Sequence, residues 1–433
     1  MHSFHYRDYR LHCEEIDLVN VAEKFGTPLY VYSASTILDH YRRLDAALGE
    51  IDHFICYSVK ANSNGAILKL LADAGASFDI VSGGELFRVL KAGGDPKRCA
   101  FAGVGKSKEE IEYALEQSVF SFNVESEAEL ETISRIAAAR GVIAPIALRV
   151  NPNVETHTHR YISTGQSESK FGIALNRVAS VYEKMAQMPR LRIRGVQMHL
   201  GSQITEAEPF TEAIEKMTPL VRDVKKRYNI EFFSIGGGMG IVYESSLASG
   251  GDEWWQKKSG EARQPLTIAE YAAATVPALH ELKLRIVVEP GRFLVGNAGV
   301  LLTRVLYIKQ TERKKFAIVD AGMNDLIRPA LYQSYHEIVP VREPADAHRA
   351  KMDVVGPVCE SADFFAKDRE LPELREGDLV ALMSAGAYGF AMASNYNSRP
   401  LPAEVLVRGD RFALIRERQT NEDLVRGERD AEF

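Results

Sequence analysis

Short apolar runs alternate with longer stretches of helical periodicity over the first two thirds of the chain. The apolar runs have the length and β-branched content of strands, and the stretches between them repeat apolar residues at helical spacing. After a strand at 28–33 and a helix at 34–48, eight strands are predicted at 53–59, 77–82, 99–103, 119–124, 144–150, 193–200, 231–237 and 284–290. The helical patterns between them include 65–74, 83–92, 108–117, 126–140, 207–227 and 268–282. This alternation is typical of parallel α/β structure.

Eight β/α units within about 240 residues match the size of a closed (β/α)₈ TIM barrel, and an open doubly wound sheet is the alternative. A polar stretch at 243–264 is predicted to be a loop. Beyond residue 290 strand-like runs follow one another through short polar links, with one weak helical pattern around 324–332. The chain is therefore predicted to be an α/β protein with a barrel over 34–290 and an all-β C-terminal domain that resembles a β-barrel.

Composition and charge narrow the class of protein. The 433 residues include 53 Lys+Arg and 59 Asp+Glu, a formal net charge of −6, and 45% are hydrophobic. Such a chain lacks the concentrated basic surface that nucleic acid requires. Residues 1–10 do not read as a secretory signal, and no run reaches the ~18 apolar residues of a membrane helix. We therefore expect a cytoplasmic protein with neither a nucleic-acid nor a membrane partner.

The cysteines and histidines do not form a metal-binding pattern. Cys13, Cys56, Cys99 and Cys359 are scattered without a CxxC pair, so neither a zinc site nor a disulfide framework is predicted. The histidines at 157 and 159 stand in a polar stretch without a matching set of carboxylates. No metal is expected.

Chemically active residues stand at the ends of five predicted strands. Because barrel active sites lie at the carboxyl ends of the strands, these residues should converge. They are Lys60, Asp79, His199, Ser202, the glycine run 236–240, and Glu289-Pro290-Gly291-Arg292.

Each of these residues also has an ordinary structural explanation. Lys60 follows an apolar strand, where desolvation would lower its pKa and free the amine as a nucleophile, or it is a common strand-end lysine. The glycine run is placed to bind a phosphate, or it is a turn. Glu289 needs a cationic partner or a proton-bearing ring nitrogen, and Arg292 is the structural alternative. His199 is a core histidine or stacks on a flat ring.

Taken together, the set points to one cofactor. A lysine able to form a Schiff base, a phosphate cradle and a carboxylate for a pyridinium nitrogen are what pyridoxal 5′-phosphate requires. The glycine run lacks the GK[ST] of a P-loop, and no dinucleotide fingerprint follows the first strand.

The C-terminal part contributes its own candidates. Arg328 and Tyr332 stand at helical i, i+4 spacing, suited to a carboxylate clamp or to a solvated helix face. Cys359 and Glu360 follow a strand end, and Tyr388 lies in a glycine-rich turn. Each of these is also compatible with a structural role.

Ten segments together resemble the diaminopimelate decarboxylases, within the fold-type III pyridoxal-phosphate decarboxylases. They are YSVKANSN (57–64), FDIVSGGEL (78–86), the H-x-x-x-Y-I-S-T-G run (157–165), KFG (170–172), HLGSQI (199–204), GGGMG (236–240), EPGR (289–292), MNDLIRPALY (323–332), GPVCESADFFAKDRELP (356–372) and GAYGFAMASNYNSRPLPAEVLV (386–407). The resemblance runs from about residue 26 to residue 408, and the segments stand in the family's order.

This resemblance implies a barrel that carries the cofactor and a β domain built from residues 1–33 and 291–433. It implies a Schiff base at Lys60, stacking by His199 and, with Asp79 nearby, a pairing of Glu289 with the ring nitrogen. The phosphate would lie among Ser202, Gly238, Gly240, the backbone of 290–292 (Pro290, Gly291 and Arg292) and Tyr388.

For the substrate, the resemblance implies that Arg292, Arg328, Tyr332 and Tyr388 surround the distal carboxylate end. Cys359 would be the proton donor and Glu360 would contact the distal amine, both reaching the neighbouring subunit of a homodimer. The implied reaction is the decarboxylation of meso-diaminopimelate to L-lysine through aldimine and quinonoid intermediates. Related decarboxylases of ornithine, lysine or a carboxylated polyamine precursor are the main alternative, ahead of a racemase or a non-catalytic relative.

Overall fold

The structure is a computed structural model that describes residues 1–155, 170–256, 265–343 and 348–431. The H-x-x-x-Y-I-S-T-G run, both of its histidines, and residues 257–264 of the predicted loop lie outside these ranges. The chain divides into two compact units. One comprises Met1–Ile37, Val242–Gly260 and Val295–Phe433, and the other comprises Leu38–Ile241 and Glu261–Leu294. Val242–Gly260, expected within the barrel domain, thus groups with the β-rich unit.

The N-terminal residues contain more structure than the sequence indicated. A three-stranded antiparallel sheet is formed by β1 (Phe4–Arg7), β2 (Arg10–Cys13) and β3 (Ile16–Asp17). Helix α1 (Leu18–Phe25) follows, and the Asp17 side chain accepts a hydrogen bond from Val19 N–H at its start. The predicted strand is β4 (Leu29–Ser33), and α2 (Ala34–Ala47) comes next. Strands of two to four residues are too short to show a period, which is why the first three were missed.

All eight predicted barrel strands are present, and they form a closed parallel barrel. They are β5 (His53–Ser58), β6 (Ser77–Ile80), β7 (Cys99–Phe101), β8 (Ser121–Val124), β9 (Ala144–Asn151), β11 (Leu191–Met198), β12 (Phe232–Gly236) and β13 (Arg285–Val288), while the short β10 (Ile173–Ala174) pairs with β9. The pairing runs β9-β11-β12-β13-β5-β6-β7-β8 and closes from β8 to β9. The barrel prediction is confirmed, and the open sheet is excluded.

Helices connect these strands, and several of them begin at a side-chain cap. They are α3 (Gly65–Asp73), α4 (Gly83–Lys91), α5 (Lys108–Glu116), α6 (Glu127–Arg140), α7 (Val178–Gln187), α8 (Glu208–Tyr228) and α10 (Ile268–His280), with α9 (Asp252–Gln256) in the β-rich unit and α11 (Arg292–Val295) after β13. Ser107 and Thr267 form capping boxes with Glu110 and Glu270. Within the described ranges no helix is both long and apolar enough to cross a membrane.

An aromatic cluster closes one end of the barrel. Phe120 and Phe232 pack with their ring centroids 4.8 Å apart, and Cys56, Ala147 and Val287 complete the buried cluster. Phe232 is the first residue of β12 and Phe120 immediately precedes β8, so this packing lies toward the amino ends of the strands. The carboxyl ends are left for the site.

The second unit is rich in β-structure, as predicted. It contains β14 (Gly299–Gln310), β15 (Lys315–Val319), α12 (Arg328–Tyr332), β16 (Ile338–Pro340), β17 (Arg349–Val355), β18 (Phe364–Pro372), β19 (Leu379–Leu382), β20 (Ala403–Arg408), β21 (Arg411–Arg416) and α13 (Asn421–Leu424). Its main sheet runs β18-β17-β15-β14-β4-β20-β21, and β19 and β16 extend from β14. Because β4 pairs with both β14 and β20, the N-terminal strand is an internal member of this sheet.

The described part of the predicted loop at 243–264 is exposed in places but is tied to the β-rich unit by buried contacts. Ser246 is fully buried, and its Oγ lies 2.5 Å from Ser384 Oγ. Leu247 N–H donates to a Glu337 carboxylate oxygen at 2.7 Å, and Asn297 Nδ2 donates to Val242 O at 2.9 Å. Small hydroxyl side chains such as Ser246 read as polar surface in the sequence, although here they satisfy one another in the interior.

Candidate active site

Lys60 and Asp79 form an ion pair at the carboxyl ends of neighbouring strands. Lys60 lies in a short turn directly after β5, and its Nζ is 2.9 Å from Asp79 Oδ2. The Asp79 side chain is only 1% exposed, whereas that of Lys60 remains 40% exposed. A buried carboxylate thus stabilises the ammonium, a partner that the sequence pattern did not assign to Lys60. The other oxygen, Asp79 Oδ1, is buried without a partner among the described residues.

Glu289 is a buried carboxylate held by neutral donors. It follows β13, and its two oxygens accept hydrogen bonds from Ser234 Oγ at 2.7 Å and Gln197 Nε2 at 3.0 Å. Burial, followed by the charge of Asp79, raises the pKa of Glu289 to about 7. The structural alternative, a pair with Arg292, is not formed within the described chain. Arg292 instead donates from Nη2 to Ser202 Oγ at 2.9 Å.

His199 is held as a neutral imidazole. It directly follows β11, and Gly237 N–H donates to its Nδ1 at 3.2 Å. An acceptor nitrogen carries no proton, so the ring proton belongs on Nε2. Burial, followed by the positive charges of Arg149 and Lys60, places the pKa of His199 well below its usual value. A neutral ring with a fixed orientation is suited to stacking on a flat, positively charged ring.

The glycine run after β12 approaches the neighbouring strand ends too closely for side chains. A Cβ on Gly237 would lie 2.1 Å from Glu289 O, and Gly238 has a φ of +116°. Gly240 N–H donates to Ile204 O at 2.8 Å, and Gly238 O accepts from Ile204 N–H at 2.8 Å. The run thus joins the ends of β11, β12 and β13, and the Gly240 amide is engaged by protein rather than pointing at a free position.

These groups fit pyridoxal 5′-phosphate. Among the described residues no cationic side chain is hydrogen-bonded to the Glu289 oxygens, so the proton-bearing nitrogen of a pyridine ring would complete this site. Asp79 Oδ1 and Gln197 Oε1 are further buried polar atoms without partners in the described chain. Lys60 provides the primary amine, and Ser202 with the backbone of 290–292 stands at the same strand ends. Among the described residues no three His, Cys, Asp or Glu side chains are grouped to hold a metal ion.

In the β-rich unit, Arg328 is buried rather than solvated. It begins α12 and is only 4% exposed. Its Nη1 lies 2.8 Å from His336 Nε2, its Nη2 donates to Ser334 Oγ at 3.2 Å, and its guanidinium lies 4.6 Å from the centre of the Tyr243 ring. The alternative of a solvated face is wrong for Arg328. Tyr332, at the end of the same helix, is half-buried.

His336 fixes the orientation of this arginine. Its Nδ1 lies 2.8 Å from Met383 O, a carbonyl that can only accept, so Nδ1 carries the proton. Nε2 then accepts from Arg328, which can only donate. The guanidinium is thereby held in a fixed orientation by neutral groups at Nη1 and Nη2.

Cys359 and Glu360 lie on an exposed turn of the same unit. Cys359 is exposed, in contrast to the buried Cys13, Cys56 and Cys99. Its N–H donates to Asn397 Oδ1 at 3.0 Å, and the Tyr396 hydroxyl donates to Glu360 Oε1. Tyr388 lies in another turn, with a φ of 55°. Neither Tyr388 nor the Cys359 turn shares a unit with Lys60.

The predicted residues therefore fall into two groups. The barrel unit brings together its group at the strand ends: Lys60, Asp79, His199, Ser202, Gly238, Gly240, Glu289, Pro290, Gly291 and Arg292. The β-rich unit carries Arg328, Tyr332, Cys359, Glu360 and Tyr388.

The sequence analysis missed the residues that hold these groups in place. They are Gln197 and Ser234 at Glu289, Tyr243, Ser334 and His336 at Arg328, and Tyr396 and Asn397 at the Cys359 turn. A polar residue inside an apolar strand, such as Gln197 or Ser234, was the available signal for the first two.

Comparisons with known proteins indicate the same cofactor as the geometry of the strand-end residues. The family described as pyridoxal-dependent decarboxylase, pyridoxal binding domain, matches residues 34–296. A diaminopimelate decarboxylase of Pseudomonas aeruginosa is 50% identical over 429 residues, which cover 99% of both chains.

Solved structures show the same fold. Diaminopimelate decarboxylase from Helicobacter pylori, complexed with L-lysine, matches with a TM-score of 0.87 and 40% identity, covering 95% of this chain and 98% of that one. The enzyme from M. jannaschii, in co-complex with L-lysine, matches with a TM-score of 0.90 and 36% identity, covering 99% and 98%. The resemblance found in the sequence is confirmed, and the chain belongs to the diaminopimelate decarboxylase family of pyridoxal-dependent decarboxylases.

Proposed function

We propose that this protein decarboxylates meso-2,6-diaminopimelate to L-lysine and carbon dioxide, the last step of lysine biosynthesis by the diaminopimelate route. The observation that carries the proposal is the arrangement of Lys60, Asp79 and Glu289 at the barrel's strand ends, where an amine and a buried carboxylate without a cation fit a pyridoxal ring. Full-length relatives named for this activity support it. The cellular compartment we propose is the cytoplasm.

Bound pyridoxal 5′-phosphate supplies the carbonyl that takes up an amino group and the pyridinium ring that draws electrons from the bond to a departing carboxylate. Lys60 Nζ would be the amine that anchors the cofactor, and Asp79 Oδ2 lies 2.9 Å from it, placed to orient it. Glu289 would hold the proton of the ring nitrogen, because its raised pKa suits that task at neutral pH. His199, neutral and oriented by Gly237, would pack on the ring face without adding charge.

The substrate carries two carboxylates and two amines, and the β-rich unit offers complementary groups. Arg328, already oriented by His336, would bind the distal carboxylate, with Tyr332, Tyr388 and Arg292 as further contacts. Glu360 would bind the distal ammonium. Ornithine and lysine lack a second carboxylate and so cannot make this charge-assisted contact with the guanidinium. This favours diaminopimelate over those substrates.

Cys359 is the proposed proton donor to the carbon from which carbon dioxide leaves. We propose that it acts, together with Glu360, at the site of the neighbouring subunit in a homodimer. Its exposure is consistent with a group that completes its environment on another chain, while the three other cysteines are buried packing residues.

Product analysis tests the proposed reaction. The purified protein with added pyridoxal 5′-phosphate should release carbon dioxide and L-lysine from meso-diaminopimelate in equal amounts. Carbon dioxide without L-lysine, or racemisation without carbon dioxide, would contradict the proposal.

Replacing Arg328 by methionine should impair substrate binding. A buried hydrogen-bonded charge pair contributes roughly a ten- to hundredfold change in affinity, so KM for diaminopimelate should rise by about that factor. Methionine fills similar space, and kcat should fall less than KM rises. Steady-state kinetics measure both, with Arg411→Met on the exposed part of β21 as the control. An unchanged kcat/KM would remove Arg328 from the substrate site.

Mixing two inactive variants tests the shared site. Lys60→Ala and Cys359→Ala subunits, exchanged into hybrid dimers, should place one intact Lys60 opposite one intact Cys359. Random exchange should then restore about a quarter of the wild-type activity per subunit. The measurement is carbon dioxide release after subunit exchange has been verified by native mass spectrometry. No recovery in proven hybrids would contradict a site shared between subunits.

A further inference from the structure

A turn at 394–399 contacts both members of the Cys359–Glu360 pair. Cys359 N–H donates to Asn397 Oδ1 at 3.0 Å, and the Tyr396 hydroxyl donates to Glu360 Oε1. All four residues belong to the β-rich unit, so these contacts are internal to it. Two consecutive side chains of one turn therefore hold two consecutive residues of another.

The turn is itself firmly anchored. Ser394 N–H donates to Asn324 O at 2.9 Å, and Arg399 Nη2 donates to Asp320 O at 3.0 Å. Between these anchors Asn397 and Ser398 have φ values of 54° and 51°. Residues other than glycine adopt this left-handed region at a cost, and asparagine tolerates it best. Such conformations persist where the surrounding structure requires them, often at functional sites.

The hydrogen bond from Tyr396 is compatible with the proposed contact between Glu360 and the distal ammonium.

 The hydroxyl engages Oε1 of Glu360 and leaves Oε2 for a substrate ammonium. That hydrogen bond, followed by the charge of Glu360, raises the pKa of Tyr396 above its usual value, so the phenol keeps its proton and remains a donor. A hydrogen bond to an ionised acceptor is stronger and more directional than one between neutral groups. The carboxylate is therefore oriented before substrate arrives.

We propose that Tyr396 and Asn397 are positioning residues for the active site, Tyr396 acting through Glu360 on recognition of the distal amine and Asn397 acting through the backbone of Cys359 on proton delivery. This inference rests on the proposed function of Glu360 and Cys359. Neither residue needs to contact the substrate. The sequence resemblance includes this segment but assigns no role to either side chain.

Kinetics in two backgrounds test Tyr396. Tyr396→Phe should raise KM for diaminopimelate about tenfold and leave kcat nearly unchanged, because a charged hydrogen bond that orients the ground state is lost. In a Glu360→Ala background the same substitution should add nothing, since residues that act through one another are not additive. With 2-aminopimelate, which lacks the distal amine, Tyr396→Phe should have no effect. Tyr307→Phe, an exposed tyrosine on β14, is the control.

Different results would contradict the proposed function and the role of Tyr396. If the wild type does not decarboxylate diaminopimelate, the proposed function fails. If the wild type is active but Tyr396→Phe leaves KM unchanged, or lowers activity equally in the Glu360→Ala background, the role of Tyr396 is wrong.

Alkylation of the Cys359 thiol tests the role of Asn397 with a readout that does not depend on catalytic turnover. Cys359 is the exposed cysteine and the other three are buried, so iodoacetamide should report mainly on Cys359 in the folded protein. Asn397→Gly removes the acceptor and still accepts a positive φ, so the turn should fold. It should change the alkylation rate at least threefold and lower kcat more than it changes KM. In a Cys359→Ala background it should cause no further change in iodoacetamide labelling. An alkylation rate and kcat equal to those of the wild type would overturn the role of Asn397.

Discussion

Lys60→Ala protein is expected to lose both covalent attachment of the cofactor and activity. The substitution removes the only amine that the structure places beside Asp79 at the strand ends, among the described residues. By comparison with other enzymes that lose a catalytic nucleophile, kcat/KM should fall on the order of 10⁴- to 10⁶-fold. The visible absorbance of the attached cofactor should disappear as well. An absorbance spectrum after gel filtration, followed by borohydride reduction and peptide mapping, measures attachment directly.

Lys69→Ala is the matched control for this prediction. Lys69 also pairs with an aspartate, Asp73, at 3.0 Å, but it is an exposed residue of α3. This variant should keep the absorbance and the activity of the wild type. Attachment of the cofactor to a lysine other than Lys60 would contradict the assignment of the site.

Glu289→Gln should have opposite effects on catalysis and on the stability of the cofactor-free protein. Loss of the carboxylate that holds the ring-nitrogen proton should lower kcat by about 10²- to 10⁴-fold, the range of general acid–base contributions. Stability should change because the pKa of Glu289 rises from 4.5 to about 7 on folding. A carboxyl group with a raised folded-state pKa opposes folding once it must ionise.

The pH range of this effect follows from those two pKa values. Below pH 4.5 Glu289 is protonated in both states and costs nothing, and above pH 7 the full penalty, up to about 3 kcal/mol, applies. Relative to the wild type, the cofactor-free Glu289→Gln protein should therefore gain stability as the pH rises from 5 to 8. Urea unfolding of cofactor-free protein at both pH values measures this, with Glu215→Gln on the exposed side of α8 as the control. A gain that is equal at both pH values would show that Glu289 does not ionise within this range.

The barrel could be predicted from the sequence because each of its strands and helices has a local hydrophobic pattern. Each buried parallel strand, such as β5 or β9, is a short apolar run, and each connecting helix shows its own period. The strand ends could then be located to within a few residues, and a barrel places its site at those ends. Lys60, Asp79, His199 and Glu289 were found in this way.

The features that could not be predicted depend on contacts between segments that are distant in the chain. His336 is only 8 positions from Arg328, but its ring is fixed by Met383 O, 47 positions away, and the Arg328 guanidinium packs on Tyr243 from a distant part of the chain. In the same way, Asn397 and Cys359 are 38 positions apart in the chain. Burial of Ser246 among other hydroxyl groups was equally invisible, since a serine-rich stretch is usually a solvated loop.

The ion pair between Lys60 and Asp79 was also not predicted. An apolar strand before it suggested desolvation, but the deciding feature is Asp79 on the neighbouring strand β6. The register between parallel strands decides which side chains lie side by side, and register cannot be read from the local sequence.

Substrate preference shows whether the site recognises a substrate with two carboxylates and two amines. Initial rates of carbon dioxide release should be compared for meso-diaminopimelate, L-lysine and L-ornithine, each with added pyridoxal 5′-phosphate. The kcat/KM for diaminopimelate should be at least about a hundredfold above the others, because neither L-lysine nor L-ornithine has a second carboxylate to place on the buried Arg328 guanidinium. A kcat/KM for L-lysine or L-ornithine equal to or above that for diaminopimelate would contradict it.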